Sequence, residues 1–301
     1  MTAAAPAPLG SLLPLLGEVG DLKRLRVAGS PGSMMAGLFA CAWSALLAGE
    51  PVERVAHRET AAALVAVRLP GYGAALAELG LPADEAADLL RCAFDDTAAP
   101  LDAGLVERLR PTVAAAALTL SEPPAFARRL AEQPRAGATR PGRPRLVLVP
   151  FESHAEHCGA VAVYGALLSP LYGAEPGLPF LCGLAHHLHN AILPDPGHAG
   201  DTLLAEREGE LKRRATEQVM GELPDGLHAP VRAALDLVYK ADTPEARSFQ
   251  AADVLDRVLE MRWHARTAAF TLEEALGELD LVHDGPVAPF HRRVMADACL
   301  A

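Results

Sequence analysis

The sequence predicts an all-α protein, and three observations carry that prediction. Apolar residues recur at three- and four-residue spacing through most of the chain. Gly, Pro or Asp interrupts this pattern at helix-length intervals. No alternating apolar–polar run of useful length is present, and no internal repeat, so neither a sheet nor a solenoid is expected. Half of the 301 residues are apolar and only 5 % are aromatic, which is enough to bury a sizeable core at this length.

Residues 1–32 are punctuated by Pro and Gly and are expected to be irregular, apart from a short basic segment at 21–27. The blocks 34–47, 53–69, 73–79, 83–94, 105–120 and 124–132 then read as helices. Pro82 and Pro123-Pro124 fall at or just before helix starts, where proline is tolerated. Pro111 falls inside a block and is expected to kink or split it. The run QPRAGATRPGRPR over 133–145 holds three Pro, two Gly and four Arg with almost no large apolar group. It reads as a linker, 134–145, between an N-terminal helical domain, 1–133, and a second helical domain, 146–301. LVLVP at 146–150 suits a strand or an extended lead-in, and 152–168, 180–192, 202–220, 229–241, 244–270 and 271–279 are again helical.

Composition excludes several classes. With 27 Lys and Arg against 38 Asp and Glu, the net charge is −11, and no basic stripe offers itself to nucleic acid, although a local pocket for one phosphate is compatible. The hydrophobicity and modest charge density rule out disorder for most of the chain. Lys23, Lys212 and Lys240 are the only lysines, and this Arg bias with abundant Ala, Gly and Pro points to a GC-rich bacterial genome. Five cysteines with no CxxC argue against a disulfide framework and for a reducing cytoplasm. The N-terminal stretch has no basic region before its apolar residues, so a signal peptide is not expected. The most apolar window, 34–48, is too short to cross a membrane and reads as a buried helix. Such helices are compatible with a homo-oligomer.

Six of the 11 histidines lie between residues 154 and 198: His154, His157, His186, His187, His189 and His198. His154 and His157 share a face at i,i+3, as do His186, His189 and Asn190 at i, i+3 and i+4. Imidazoles gathered from two facing helices suit a divalent transition metal, and Glu152, Glu156, Asp195 and Asp201 lie near in sequence.

The order of these segments resembles the HD-domain superfamily: Glu156-His157-Cys158, then His186-His187-Leu188-His189-Asn190, then Gly200-Asp201, then Ala252-Asp253. The closest likeness is to its nucleoside 5′-monophosphate phosphatases, over about residues 150–270 and not the N-terminal half. The resemblance implies a helical bundle, a divalent metal (Mn, Co, Zn or Fe), and a small phosphorylated substrate such as a nucleotide. It implies His157 as first ligand, His189 as second and Asp253 as last, with Asp201 placing the sugar and Asp195 as candidate catalytic acid. One departure stands out: the Asp of the His-Asp pair is Asn190, an amide with a dipole in place of a charge. Three outcomes fit this departure: His186 or His187 substitutes as ligand, the site binds metal weakly, or it is inactive; a second register, with His186-His187 as the pair, also removes the Asp.

A metal so held polarises a phosphoryl oxygen and lowers the pKa of its water. Asp195 or Glu156 is placed to serve as general acid or base. Arg207, Lys212, Arg213 and Arg214 could meet phosphate, but Glu206, Glu208 and Glu210 make a solvated face the better reading. The surplus imidazoles give the chain a looser likeness to di-iron oxygenases built on HD domains. A degenerate HD-like domain used for binding or signalling is a third reading.

Other features carry little. His283-Asp284 reads as a turn, because only 17 residues follow. Asp95-Asp96 lacks the third Asp of a diphosphate-binding DDxxD motif. Cys158 reads as helix packing, His57 as a lone helix histidine, and Trp43 and Trp263 as core. No dinucleotide fingerprint, P-loop, nucleophile elbow or HExxH motif is present.

Overall fold

The three- and four-residue periodicity becomes helix in nearly every block where it occurs. The computed structural model describes residues 8–28, 32–116, 123–266, 271–277, 281–282 and 284–300. Among these residues the first half forms α1 (Leu9–Asp21), α2 (Met34–Leu47), α3 (Val52–Arg68), α4 (Tyr72–Glu78), α5 (Ala83–Ala98), α6 (Ala103–Leu109) and α7 (Ala125–Glu132). The second half forms α8 (His154–Tyr172), α9 (Gly177–Ala185), α10 (Gly197–Leu204), α11 (Arg207–Met220), α12 (Asp225–Leu235), α13 (Pro244–His264), α14 (Leu272–Gly277) and α15 (Ala288–Asp297). Short 3-10 turns occupy Arg110–Ala116 and Leu188–Ala191, and no strand occurs among the described residues. The fold is all-α.

Helix α8 is the axis. It is apolar on every side, so it must be enclosed. α2, α3, α7, α9 and α13 pack around it. Small residues let the neighbours come close. A Cβ on Gly159 would meet Met35 Sδ at 3.0 Å, and one on Gly165 would meet Pro179 at 3.2 Å. A Cβ on Gly183 of α9 would lie 2.4 Å from the Ala162 backbone nitrogen, so the two helices touch backbone to backbone there. Ser153 starts α8 with a capping box, its hydroxyl accepting from Glu156 N while the Glu156 carboxylate accepts from Ser153 N.

Several expectations are revised. Residues 9–21, expected to be irregular, form α1, because Leu9, Leu12, Leu15, Leu16 and Val19 make a buried stripe that outweighs Pro14 and the glycines. The block 105–120 does split at Pro111, α6 giving way to a 3-10 turn; its end lies outside the described residues, as does His283. The block 180–192 is not one helix. α9 ends at Ala185, His186 and His187 form the corner, and a separate 3-10 turn follows. The block 202–220 breaks between α10 and α11, where Ala205 adopts φ 47°.

The expected linker is instead a strap laid over the start of α8. Ala138 and Leu146 pair in antiparallel fashion, as do Pro134 and Ser153. Gly137 has φ +74°, and a Cβ there would clash with the Leu146 carbonyl. Arg135 ties the strap down through Glu152. One cluster of buried apolar side chains, from Leu9 to Leu300, runs through both halves, so two separate cores do not form among the described residues. No single described helix is long and apolar enough to cross a membrane.

The close approach of α8 and α9 gives a test. Gly183→Ala is expected to destabilise the chain by at least about 1–3 kcal/mol through overpacking, read as a lowered urea midpoint. Gly209→Ala, with nothing within 4 Å of its Cβ, is expected to raise the midpoint slightly. Equal midpoints would contradict the packing described.

Candidate metal centre

Three elements converge on the N-terminal end of α8. α8 brings His154 and His157, one turn apart and fully buried. The corner after α9 brings His186 and His187. α13 brings Asp253 and Asp256, again one turn apart. The rings of His157 and His186 lie 5.1 Å apart, those of His186 and His187 4.4 Å, and those of His154 and His187 4.9 Å.

The hydrogen bonds fix the tautomers. His157 Nδ1 is 2.7 Å from Asp256 Oδ2, and His186 Nδ1 is 2.8 Å from the Gly183 carbonyl. A carbonyl only accepts, and so does an ionised carboxylate, so both Nδ1 atoms carry the proton. Both Nε2 atoms then point inward, 3.1 Å apart. Asp253 Oδ1 joins them at 3.4 Å from His157 Nε2 and 3.8 Å from His186 Nε2. Three electron-pair donors this close require positive charge between them, either a proton or a metal ion. Two nitrogens on one tetrahedral Zn²⁺, with bonds of about 2.0–2.1 Å, are about 3.3 Å apart. The triangle fits that spacing. His187 adds a fourth donor: one nitrogen each of His157, His186 and His187 lies within 4.8 Å of the others. Its Nδ1 is 2.9 Å from Asn190 Oδ1, whose amide is oriented by donating to the Leu193 carbonyl at 3.1 Å. These residues could hold a metal ion.

The surroundings hold the ligands in place. Asp253 Oδ2 accepts from Arg257 Nη2 at 2.9 Å. Burial would raise the Asp253 pKa, but Arg257, His157 and His186 outweigh it and hold the carboxyl well below its usual range. Asp256 Oδ1 meets Lys23 Nζ at 2.5 Å, and Lys23 also pairs with Glu152 at 2.6 Å and Glu260 at 3.3 Å. Burial would depress Lys23, but the facing Asp256, Glu152 and Glu260 carboxylates raise its pKa well above the ordinary lysine value. Arg24 bonds Glu260 at 2.6 Å and Arg135 bonds Glu152 at 2.9 Å, so three cations face three carboxylates. The donors of Glu152, His157 and Asp256 also cluster within 4.8 Å, but Lys23 already supplies the cation there.

The residues expected from sequence divide as follows. His157, His186 and Asp253 meet. His189 does not take the second-ligand position, because α9 stops before it; its ring lies 5.5 Å from that of His187 at the outer edge of the cluster. Asn190 is a support for His187 and not a ligand. His186 and His187, and not His189 and Asn190, bring ring nitrogens within 4.8 Å of a His157 nitrogen. Glu156 is committed to the capping box and does not reach the centre as an acid or base. Asp201 sits 3.5 Å from Lys212, away from the triangle. Asp195 stands closer: its carboxylate accepts from Ala136 N and Gly197 N and lies 3.6 Å from His154 Nε2. On α11, Lys212 pairs with Glu208, and Arg213 and Arg214 pair with Glu210, which is the solvated face expected. Cys158 is buried, and burial pushes its thiol pKa up, which removes it as a nucleophile. Sequence reasoning missed Asp256 and Lys23. Asp256 was detectable as i+3 from Asp253; Lys23 had no local signal.

The chain matches no protein-family model, no curated protein and no solved structure. The functional reading therefore rests on the site itself.

The buried imidazoles give a pH test. Burial, followed by neighbouring positive charge, lowers His154 to about 2, His186 to about 3 and His189 to about 4. Folded pKa values below the ordinary 6.5 mean that the unfolded chain binds protons first as pH falls. Stability is then complete above about pH 6.5 and declines below it by about 1.4 kcal/mol per pH unit for each imidazole. For the metal-free chain, the unfolding free energy is expected to drop between pH 7.5 and 5.5 by on the order of 4 kcal/mol for three independent imidazoles. Equal values at the two pH values would show that these rings are not buried and neutral.

Proposed function

We propose that the chain is a metal-dependent hydrolase acting on a small phosphate ester, such as a nucleotide. The observation that carries this reading is the convergence of His157 Nε2, His186 Nε2 and Asp253 Oδ1 with both histidine tautomers fixed. Two imidazoles and one carboxylate suit a borderline divalent ion such as Zn, Co, Mn or Fe. When bound, such an ion supplies Lewis acidity toward a phosphoryl oxygen and a water of lowered pKa. The order of these residues along the chain agrees with the HD-domain resemblance, with His187 in the place of the Asp of that superfamily's His-Asp pair.

The chain's own groups do the rest. Asp256 holds the His157 ring and its Nδ1 proton, and the Gly183 carbonyl does the same for His186. Arg257 keeps Asp253 ionised and oriented. A cavity of about 320 Å³ is lined by Arg135, Arg145, Arg257 and Asp195, with Phe151 among its apolar residues, and Arg257 connects it to Asp253. Each guanidinium has five donors and is only partly used by its protein partners, so an anion entering the cavity finds N–H groups. Of the three carboxylates expected to be catalytic, Asp195 alone lines the cavity. The free thiols are in keeping with a reducing cytoplasm.

The test is phosphate release from a panel of phosphomonoesters by metal-stripped chain reloaded with Mn²⁺, Co²⁺, Zn²⁺ or Fe²⁺. Activity is expected with at least one ion, and Asp253→Asn is expected to lower it at least 100-fold while the fold is kept. Metal binding with no ester hydrolysed would contradict the reading. Two irons per chain with O₂ consumption would replace it by the oxygenase. No metal bound at all would leave a binding protein.

A further inference from the structure

α1 and α13 do not close on each other. They leave a cleft of about 490 Å³ between them, with Tyr164 of α8 on its wall. That is an ordinary size for a small-molecule pocket. Leu13, Pro14, Leu259 and Trp263 line the cleft, and none of the four is buried. Gly17 lines it too, and a Cβ there would meet nothing within 4 Å. Trp263 is held in place by Arg24, whose guanidinium carbon lies 3.7 Å from the ring centroid and whose Nη2 is pinned to Glu260 at 2.6 Å. The four carboxylates on the wall are all committed to cations. Asp256 meets Lys23 at 2.5 Å, Glu260 meets Arg24 at 2.6 Å and Glu18 meets Arg68 at 2.9 Å. Asp21 meets Arg24 at 3.4 Å, with Arg266 acting on it from further off. Arg262, in the last turn of α13, and Arg266, just beyond it, are exposed and make no ion pair among the described residues. The uncompensated charge of the cleft is therefore positive.

We propose that this cleft binds a small organic anion with an apolar body, its acid group held by Arg262 and Arg266 and its body against Leu13, Leu259 and Trp263. A guanidinium presents a planar fork of donors that matches the paired oxygens of an acid group. A neutral apolar molecule would leave both guanidiniums unused, and an inorganic anion would leave the apolar wall wet. Only a ligand with both parts uses the whole cleft. Gly17 gives that body its room, since any side chain at this position of α1 would occupy open space. The cleft is distinct from the arginine-lined cavity of about 320 Å³, with which it shares Glu260 alone. It backs onto the centre through Asp256, whose Oδ1 meets Lys23 and whose Oδ2 holds His157. The inference rests neither on metal binding nor on ester hydrolysis.

The probe is anilinonaphthalene sulfonate, an acid group on an apolar ring body whose fluorescence rises when it leaves water. It is titrated into the full chain, with circular dichroism to confirm that each variant is folded. Wild type is expected to bind it at one site. Gly17→Leu, which fills the cleft without a clash, is expected to abolish binding. The double variant Arg262→Gln, Arg266→Gln, at two exposed positions, is expected to weaken binding by about 10-fold or more. Phenylnaphthylamine, the same rings without the sulfonate, is expected to bind wild type more weakly by about 10-fold. Arg145→Gln, at the other cavity, is expected to leave binding unchanged. The proposal is overturned by no binding to folded wild type, by unchanged binding in either folded cleft variant, by equal binding of the neutral probe, or by loss of binding in Arg145→Gln. None of these readings depends on phosphatase activity, so the two proposals stand or fall separately.

Discussion

The ion pair between Lys23 and Asp256 is the constraint on which the centre depends. It is buried, and it joins a residue just past α1 to the middle of α13, with His157 of α8 on the other oxygen of the same carboxylate. One buried cation, Lys23, is shared by the Asp256, Glu152 and Glu260 carboxylates inside the protein. Buried charge is expensive unless its partners are complete, and here Arg24 and Arg135 complete the set. What the network secures is orientation. A charged Asp256 is the stronger acceptor for His157 Nδ1, and this bond turns Nε2 toward Asp253 and His186.

The packing of α8 makes that geometry rigid. A helix buried on all sides cannot slide, and its glycines hold α2 and α9 at close range. The corner after α9 follows this contact. Gly183 is pressed on Ala162, the chain turns at His186, and the Gly183 carbonyl receives His186 Nδ1. The same glycine that permits the packing thus also provides the acceptor that fixes the second ligand. The strap over 134–145 closes the arrangement from outside, through Arg135 on Glu152 and Ala136 on Asp195.

Much of this was legible in the sequence, for physical reasons. Helices follow from periodicity, and the histidine cluster stands out by density. His157 and Asp253, which the resemblance marks as ligands, each lie inside a long regular helix, and the structure brings them within 3.4 Å. His189 and Asn190 were misplaced because i,i+3 reasoning assumes an unbroken helix, and α9 ends four residues before His189. The break falls two residues after the backbone contact of Gly183 with α8. α1 was missed because Pro14 and its glycines masked a good apolar stripe. Lys23 was missed because all its partners are distant in sequence, and long-range ion pairs leave no periodic trace. The strap has a linker's composition; its order comes from ion pairs and two short backbone bridges.

The chemistry follows from donors whose closeness calls for a cation between them. His157 Nε2, His186 Nε2 and Asp253 Oδ1 are brought together by three separate elements, each with its own support behind it. The most direct test is a crystal structure of the chain grown with Co²⁺, with anomalous data at the cobalt edge. The expected result is an ion about 2.0–2.2 Å from His157 Nε2, His186 Nε2 and Asp253 Oδ1, with Asp256 still on His157 Nδ1. An ion bound instead by His189 and Asn190, or no ion between His157 and His186, would contradict the centre described.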